Sequence, residues 1–475
     1  MLGRWRRPPP PPALQPALPS SDALVTMIFT SIVGLALLLL TLFQLRRRQQ
    51  SKKVLPPPSS PPTLPPDATR MPDAPLKGDT PTVPDIEDCH RASIPQAALA
   101  PETAVPLGER SPLYSTSLRQ LHIELSSKCN AACPQCLRNV RGGRDNPRLP
   151  LTDLSLADVK RAVDPLLPHL KRVLLCGNYG DPSACRECLA VVRYLRQARP
   201  SLVIGFFTNG GAKAPAFWME LGKLLIAPSY CRFAIDGLAD TNHLYRQKVR
   251  WSSLEANVRA FVVAGGNAQQ DFIVFRHNEH QVEMAQAWAR QMGIRAFNVK
   301  RTKRFVDKST GELLTHTPVE NAEGDVVRRI EPPCNSEYRN DADTLELQAT
   351  LRRYGSIDAY YDRACIDCKA QKDAEAYLSA EGYLFPCCFL GGELYNRRVE
   401  SQLLRVLTEH GQSLESLRVT DKRSILEVLE TALFTHLTVA SWGKASVQQG
   451  KLRMCAAVCG TEHRSYLRQW RNEKS

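Results

Sequence analysis

Cysteine is nearly absent from the first 128 residues of this 475-residue chain, which hold only Cys89 of the 15 cysteines. The same part is rich in proline, because 22 of the 35 prolines precede residue 113. The remainder lacks an arginine-rich run and the aromatic–basic alternation typical of RNA-binding modules. An apolar content of 43% with 23% charged residues excludes a wholly disordered or fibrous protein. The length then predicts two or more folded units after a proline-rich N-terminal part.

Most of the net positive charge lies in the longer, cysteine-rich part of the chain. Residues 1–116 hold 12 basic and 9 acidic side chains, which leaves 50 and 39 for the remainder, a net charge of +11. A basic surface can steer anionic substrates or nucleic acid. A solvated surface with no specific partner explains the same charge. Nucleic acid is therefore not the preferred partner, although the charge does not exclude it.

One long apolar run lies near the N-terminus. Ala23–Leu45 contains 23 residues without a charge, about 34 Å as a helix, against roughly 30 Å for a hydrocarbon core. A signal peptide, an organelle-targeting sequence and a start site chosen too early are the alternatives. We expect a disordered segment 1–22, a transmembrane helix 23–45 and a proline-rich disordered linker 46–117. The positive-inside rule then places the globular part on the cytoplasmic or organelle-interior side, since a basic cluster follows the run at once: Arg46, Arg47, Arg48, Lys52 and Lys53.

A three-cysteine loop follows the first predicted strand of the globular part. The alternating strand Leu121–Leu125 leads into Cys129, Cys133 and Cys136, with the spacing C-x3-C-x2-C. Three thiolates can each hold one iron of a [4Fe–4S] cube, which leaves the fourth iron without a protein ligand. That iron can chelate the amino and carboxylate groups of S-adenosylmethionine. Zinc is the alternative, but zinc sites usually have a fourth Cys or His nearby, and none follows within the next 30 residues.

With this loop the chain resembles the radical S-adenosylmethionine (radical SAM) enzymes, and further segments match in order. The segment from Gly177 to Pro182 resembles the family's G-G-E-P turn, whose backbone binds the methionyl amino group, with Asp181 where Glu is usual. Gln135 stands where the family often has an aromatic residue near the adenine. The resemblance extends to the ends of the third and fourth strands, and it implies this cofactor-binding set: Gly177, Gly180, Asp181, Pro182, Asn209, Asp236 and Arg246.

Strand and helix patterns alternate six times after residue 118, which predicts an α/β fold with a parallel sheet. The resemblance implies an open (β/α)6 barrel over residues 118–330, with the active site at the C-terminal ends of the strands. All the motifs named above follow such ends. The expected strands are 121–125, 173–176, 202–208, 231–235, 272–275 and 297–300.

A second cysteine group lies in residues 331–475. Cys368 is followed by thirteen residues and then by Gly382-x4-Cys387, around a hairpin-like segment. This pattern resembles the small α+β SPASM/twitch extension of radical SAM enzymes, which holds auxiliary [4Fe–4S] clusters. Cys455 and Cys459 would complete four ligands of one auxiliary cluster, with structural zinc as the alternative. Three further thiols could replace a named ligand: Cys334, Cys365 and Cys388.

Together the resemblances imply an enzyme that reductively cleaves S-adenosylmethionine to a 5′-deoxyadenosyl radical for hydrogen abstraction from a substrate. Family members with this extension often modify peptides or proteins, so a peptide or protein is the preferred substrate, ahead of a small molecule. A one-electron donor such as flavodoxin or ferredoxin is the expected partner. The alternatives are modification of RNA or of a cofactor precursor, and a non-catalytic, membrane-tethered iron–sulfur electron carrier. The sequence indicates no catalytic residue beyond the cofactor sites.

Overall fold

The computed structural model describes Leu113, residues 118–396 and residues 401–463, which all belong to one compact unit. The segments 1–22 and 23–45 and all of the linker 46–117 except Leu113 lie outside these residues. Among the helices that the model describes, none is both long enough and apolar enough to cross a membrane. This finding corrects the membrane localisation expected from the sequence.

Six parallel strands follow one another along the chain and lie side by side in one sheet. Each strand pairs with the next without a gap in the order, so every connection returns to the same edge of the growing sheet. This is the predicted six-unit α/β arrangement. The strands are β1 (Gln120–Ile123), β2 (Arg172–Leu175), β3 (Val203–Thr208), β4 (Tyr230–Ala234), β5 (Ala268–Ile273) and β6 (Ala296–Lys300).

Helices connect these strands and cover the sheet. The first begins at a capping box, in which Ser155 Oγ accepts the N–H of Asp158 and the Asp158 carboxylate accepts the N–H of Ser155. Trp218, Phe233 and Phe261 are fully buried where helix and sheet meet. The helices are α1 (Leu156–Val163), α2 (Cys188–Ala198), α3 (Pro215–Leu224), α4 (Asn242–Tyr245), α5 (Trp251–Val263) and α6 (Val282–Gln291), with 3-10 turns at Asp164–Leu166, Pro182–Ala184 and Glu279–Gln281.

Strand β5 begins four residues before the predicted start at residue 272. Its first half is polar, and those side chains are bound by neighbouring strands rather than by solvent. Gln269 Oε1 accepts from Arg232 Nη2 of β4 at 2.8 Å, and Asp271 Oδ2 lies 2.9 Å from Lys300 Nζ of β6. Polar partners within the sheet therefore replace the apolar pattern on which the prediction depended.

A hairpin and two helices follow the sixth strand. Strands β7 (Thr317–Glu320) and β8 (Val326–Ile330) pair antiparallel as a separate two-stranded sheet. Helices α7 (Asp341–Tyr354) and α8 (Ile357–Arg363) come next, and Gly355 joins them with a φ of +82°, a left-handed conformation that glycine adopts easily.

The second cysteine segment returns to the edge of the main sheet. Strand β9 (Glu375–Leu378) pairs parallel with β1, with Gln120 opposite Glu375 and Ile123 opposite Leu378. Strand β10 (Leu384–Phe385) pairs antiparallel with β9, which is the hairpin predicted around Gly382. Together with β1 to β6, these two strands form an eight-stranded sheet in the order β10-β9-β1-β2-β3-β4-β5-β6. The domain boundary expected at residues 330/331 stays a prediction.

Short helices form the rest of the described C-terminal part. They pack through buried residues such as Leu407, Val428 and Phe434. They are α9 (Lys369–Asp373), α10 (Cys388–Gly391), α11 (Gln402–Glu409), α12 (Ile425–Leu429), α13 (Thr438–Trp442) and α14 (Arg453–Cys459), with a 3-10 turn at Leu414–Leu417 and a π-helical turn at Leu433–Leu437.

Candidate active site

The three-cysteine loop leaves the C-terminal end of β1 and is tightened by short-range hydrogen bonds. The Cys136 N–H donates to Cys133 O at 3.0 Å, and the Ala131 N–H lies 3.4 Å from Cys129 Sγ. Asn139 Nδ2 donates to Cys133 O at 3.2 Å. Burial raises the pKa of Cys129, and the neighbouring Asp181 and Cys133 raise it further. The three thiols of the loop therefore lie near one another. They lie beside the motifs that follow β2 to β4.

The turn after β2, residues 177–182, packs against the backbone that begins the cysteine loop. A methyl group at Gly180 would overlap the Ser126 carbonyl oxygen and lie 2.8 Å from Lys128 O. One at Gly177 would overlap the Gly180 carbonyl oxygen. The Asp181 N–H donates to Lys128 O at 2.9 Å. Only glycine permits this approach of the turn to the loop.

The Asp181 carboxylate is buried and accepts hydrogen bonds only from neighbouring protein groups in the described part of the chain. It accepts the N–H of Ser183 at 3.0 Å, the Thr208 hydroxyl at 2.9 Å, and both the backbone N–H and the side-chain amide of Asn209 at 2.8 Å. Asn209 Nδ2 also donates to Asn130 Oδ1 at 2.9 Å and lies 3.6 Å from Cys129 Sγ. Asp181, whose side chain is shorter than that of the usual glutamate, therefore links the β2 turn to the end of β3. It also fixes Asn209 against the cysteine loop.

Asp236 and Arg246 form a buried ion pair at the end of β4. Arg246 Nε donates to Asp236 Oδ2 at 2.6 Å, and the Ile273 N–H donates to Oδ1 at 2.6 Å. Burial raises the pKa of Asp236, and Arg246 opposes that shift. Arg246 Nη1 lies 3.6 Å from Cys133 Sγ. Both predicted cofactor residues thus lie together next to the cysteine loop.

Glu124 is a site residue that the sequence reasoning missed. It follows β1 and is 1% exposed. Its Oε1 accepts the backbone N–H groups of Tyr179 at 2.8 Å and of Gly180 at 2.9 Å, and Oε2 accepts the hydroxyl of Tyr377. Burial raises the pKa of Glu124 to about 7, although these hydrogen bonds oppose the shift. The local sequence around Glu124 is an ordinary alternating strand pattern. It does not indicate that the β2 turn and β9 both donate hydrogen bonds to this carboxylate.

Two further polar residues lie near the same end of the parallel strands. Gln135 donates through Nε2 to Thr317 Oγ1 at 3.1 Å, and its Oε1 is buried without a hydrogen-bond partner in the described part of the chain. Arg304, after β6, donates from Nη1 to the hydroxyl of Tyr245 at 2.8 Å. Tyr245 is itself fully buried and stacks beside Arg246. Neither Arg304 nor Tyr245 was predicted, because both lie outside the motifs.

The four cysteines predicted for an auxiliary cluster line one cavity of about 220 Å³: Cys368, Cys387, Cys455 and Cys459. A hydrogen bond between the thiols of Cys368 and Cys459 raises the pKa of the first and lowers that of the second to about 7. Burial and the nearby sulfurs of Cys387 and Cys459 raise the pKa of Cys455. The hairpin β9–β10 and helix α14 therefore bring the four sulfurs together, although their role as ligands stays a prediction.

The donors around this cavity suit a group held by thiolates. Backbone N–H groups of Leu390 and Phe389 point to the Cys387 sulfur and lower its pKa, against the larger effect of burial. The indole N–H of Trp442 is buried beside Cys455, and it has no hydrogen-bond partner of normal geometry among the described residues. Such N–H groups stabilise sulfur that carries negative charge, and hydrogen bonds to sulfur are a usual part of iron–sulfur sites. A [4Fe–4S] cluster therefore fits the donor set.

The spare thiols differ in their surroundings. Cys334 is exposed and does not line the cavity. Cys388 begins α10, directly after the proposed ligand Cys387, and its carbonyl group is used by Asn178 of the β2 turn. Cys185 and Cys188, which do not line the cavity, are fully buried in the core.

Comparison with known proteins gives similarities to solved structures only. No protein-family model matches the chain, and no curated protein sequence matches it. SuiB from Streptococcus suis bound to S-adenosylmethionine matches at 14% identity and a TM-score of 0.37, over 58% of this chain and 61% of SuiB. Histidine-tagged anSMEcpe with bound AdoMet matches at 14% identity and a TM-score of 0.42, over 74% and 92%. BtrN in complex with AdoMet and 2-DOIA matches at 13% identity and a TM-score of 0.33, over 72% and 92%.

The match spans less than two thirds of SuiB, and every TM-score lies below 0.5. The function of this chain therefore has to follow from its own residues and not from these similarities.

Proposed function

We propose that this protein is a radical SAM enzyme that generates a 5′-deoxyadenosyl radical and uses it to abstract hydrogen from a peptide or protein. The observation that carries the proposal is the convergence of four motifs at one end of the parallel sheet. The cysteine loop is contacted by the glycine turn after β2, by Asn209 after β3 and by Arg246, which is paired with Asp236 after β4. Active sites of barrel folds lie at this end of the strands.

Three thiols would hold the catalytic cluster, namely those of Cys129, Cys133 and Cys136. A [4Fe–4S] cluster held by three cysteines supplies an iron that can bind S-adenosylmethionine and an electron for its cleavage. The protein's own part is to bind and orient the cofactor and to exclude water. Arg246 places a positive charge beside the Cys133 sulfur, which stabilises that sulfur as a thiolate.

The turn 177–182 would present its backbone to the methionyl amino group. Its conformation is fixed from three sides: by Ser126 and Lys128 of the loop, by Glu124 and by the Asp181 network. A turn that is rigid before the cofactor binds loses little conformational entropy on binding. The rigidity of the turn supports a role in cofactor binding. A turn that only connected two elements would not need to be fixed in this way.

The auxiliary cysteines would hold a second [4Fe–4S] cluster that anchors the substrate or transfers an electron. The shared cavity of the four sulfurs supports this role. The peptide or protein substrate class depends on the resemblance to the SPASM/twitch extension, whose members often modify peptides.

The test uses the full chain, purified and reconstituted with iron and sulfide without oxygen. We expect about eight irons per chain, as two [4Fe–4S] clusters require, and 5′-deoxyadenosine after addition of S-adenosylmethionine and a strong reductant. Cys133→Ala should abolish 5′-deoxyadenosine, whereas Cys334→Ala, which changes an exposed thiol outside both sites, should leave it unchanged. Undiminished product from Cys133→Ala would refute the proposal, as would a wild-type chain that loads iron without binding S-adenosylmethionine.

A further inference from the structure

The cofactor turn is bonded directly to the loop that follows an auxiliary cysteine. Asn178 Nδ2 donates to Cys388 O at 2.7 Å, and the Tyr179 hydroxyl donates to Gly392 O at 2.7 Å. Both acceptors belong to α10 or its C-terminal end, and α10 starts at the residue after Cys387. Two consecutive side chains of the turn therefore hold the backbone of the auxiliary loop.

Glu124 connects the same two segments on the inner side. One carboxylate oxygen holds the N–H groups of Tyr179 and Gly180, and the other holds the hydroxyl of Tyr377 on β9. Tyr377 is 1% exposed, and its ring meets His122 edge-on with centroids 5.0 Å apart. The buried Glu124 carboxylate therefore cannot exchange these hydrogen bonds for bonds to water unless the core opens.

The packing around Tyr377 also reaches the auxiliary loop. A methyl group at Gly391 would lie 2.5 Å from Tyr377 Cε1, so the backbone of α10 rests on the tyrosine ring. The ring stacks at 6.3 Å on Phe385, which lies two residues before Cys387. A shift of the auxiliary loop therefore has to move Tyr377 or break its contacts, and Tyr377 in turn holds Glu124.

We propose that Glu124 and Tyr377 are positioning residues that couple the auxiliary loop to the cofactor turn, so that the state of the auxiliary site sets the affinity for S-adenosylmethionine. The inference rests on the proposed function for the identity of the ligand. It adds that the second site acts on the first through hydrogen bonds of the protein, in addition to any electron transfer between clusters. Coupling of this kind is a difference in binding free energy between two states of one element.

The experiment measures equilibrium binding of radiolabelled S-adenosylmethionine to the anaerobically reconstituted full chain. Tyr377→Phe removes a hydrogen bond to a charged acceptor, and we expect roughly a tenfold rise in Kd with unchanged iron content. Tyr383→Phe is the matched control, because it removes a hydroxyl of the same hairpin that bonds to Glu415 and not to the turn. A merely structural role would lower the melting temperature in both variants and leave both Kd values alone.

Glu124→Gln adds a pH readout. The pKa of Glu124 is raised to about 7, chiefly by burial, so the wild-type turn loses its charged acceptor as the pH falls through that value. The wild-type Kd should rise between pH 8 and pH 6, while the Kd of Glu124→Gln should be high and flat over the same range. The groups facing Glu124 are Tyr179 and Cys176 from the β2 side, Tyr377 and Glu381 from the hairpin, and Tyr395 after α10.

The outcomes separate this inference from the proposed function. A wild-type chain that does not bind S-adenosylmethionine refutes the function. A wild-type chain that binds it, together with Tyr377→Phe and Glu124→Gln variants of unchanged Kd, refutes the coupling and leaves the function standing. If Tyr377→Phe does not load iron, Tyr179→Phe replaces it, because this change removes a hydroxyl whose partners are Gly392 O and the Tyr395 backbone, and leaves Glu124 and Tyr377 in place. An unchanged Kd there overturns the coupling as well.

Discussion

The Asp236–Arg246 pair allows a sharp test of how the active site is stabilised. Arg246→Met keeps much of the side-chain volume and leaves Asp236 as a fully buried carboxylate without an ion-pair partner, which retains only the Ile273 N–H and the more distant charge of Lys300. Breaking a buried pair by removal of one partner costs about 3–5 kcal/mol of unfolding free energy. We expect a loss of that size.

The same substitution in a chain that lacks the Asp236 charge completes a double-mutant cycle. In an Asp236→Asn background, Arg246→Met removes a hydrogen bond but leaves no buried charge, so the same change should cost about 1 kcal/mol. The coupling energy should therefore be about 2–4 kcal/mol. The exposed pair Lys223–Glu220 is the control, since its 2.6 Å ion pair lies on the surface and should couple much more weakly than the buried pair.

The assay is urea unfolding of the full chain without oxygen, followed by far-ultraviolet circular dichroism, with the slope on urea compared between variants. A coupling energy for Asp236 and Arg246 below about 0.5 kcal/mol would mean that the two positions are additive. The buried pair would then not hold the end of β4 against the cysteine loop, and the reasoning on its role would be refuted.

Two further predictions concern the cofactor turn and the auxiliary ligands. Gly180→Ala should raise the Kd for S-adenosylmethionine roughly 10- to 100-fold, because about 1–3 kcal/mol of overpacking falls on the Ser126 backbone. Gly265→Ala adds a methyl group that meets no atom within 4 Å; its left-handed φ of +88° costs stability locally, but the Kd should stay unchanged. Equilibrium dialysis checks both variants, and equal affinities would contradict the expectation. Cys387→Ser should lower the iron content from about eight to about four per chain, while Cys334→Ser should retain the full content in the same colorimetric iron assay. A full iron content in Cys387→Ser would remove this residue from the ligand set.

The parallel core was predictable because its strands carry a local apolar pattern and its motifs follow them directly. The cysteine loop, the β2 turn and Asp236 are each recognisable from a few neighbouring residues. The start of β5 was not, because Gln269 and Asp271 are stabilised by Arg232 and Lys300 on adjacent strands. Cross-strand polar pairs of this kind leave no mark on hydrophobic periodicity.

The coupling of the two sites was beyond sequence reasoning for a related reason. Glu124 and Tyr377 are 253 residues apart, and neither stands in a recognised motif. Their contact depends on β9 lying beside β1, a pairing that the sequence analysis did not predict. Pairing between distant strands is decided by the whole fold and not by the residues that pair.

The pairing of β9 with β1 also bears on how the chain folds. Until residues 375–378 have been synthesised and docked, β1 has one unpaired edge, and an open edge of buried apolar residues such as Leu121 and Ile123 is a template for intermolecular pairing. Closing the sheet requires a loop of about 250 residues, and such distant contacts form slowly. The strand that carries the cysteine loop therefore keeps an edge open to intermolecular pairing until most of the chain has been synthesised.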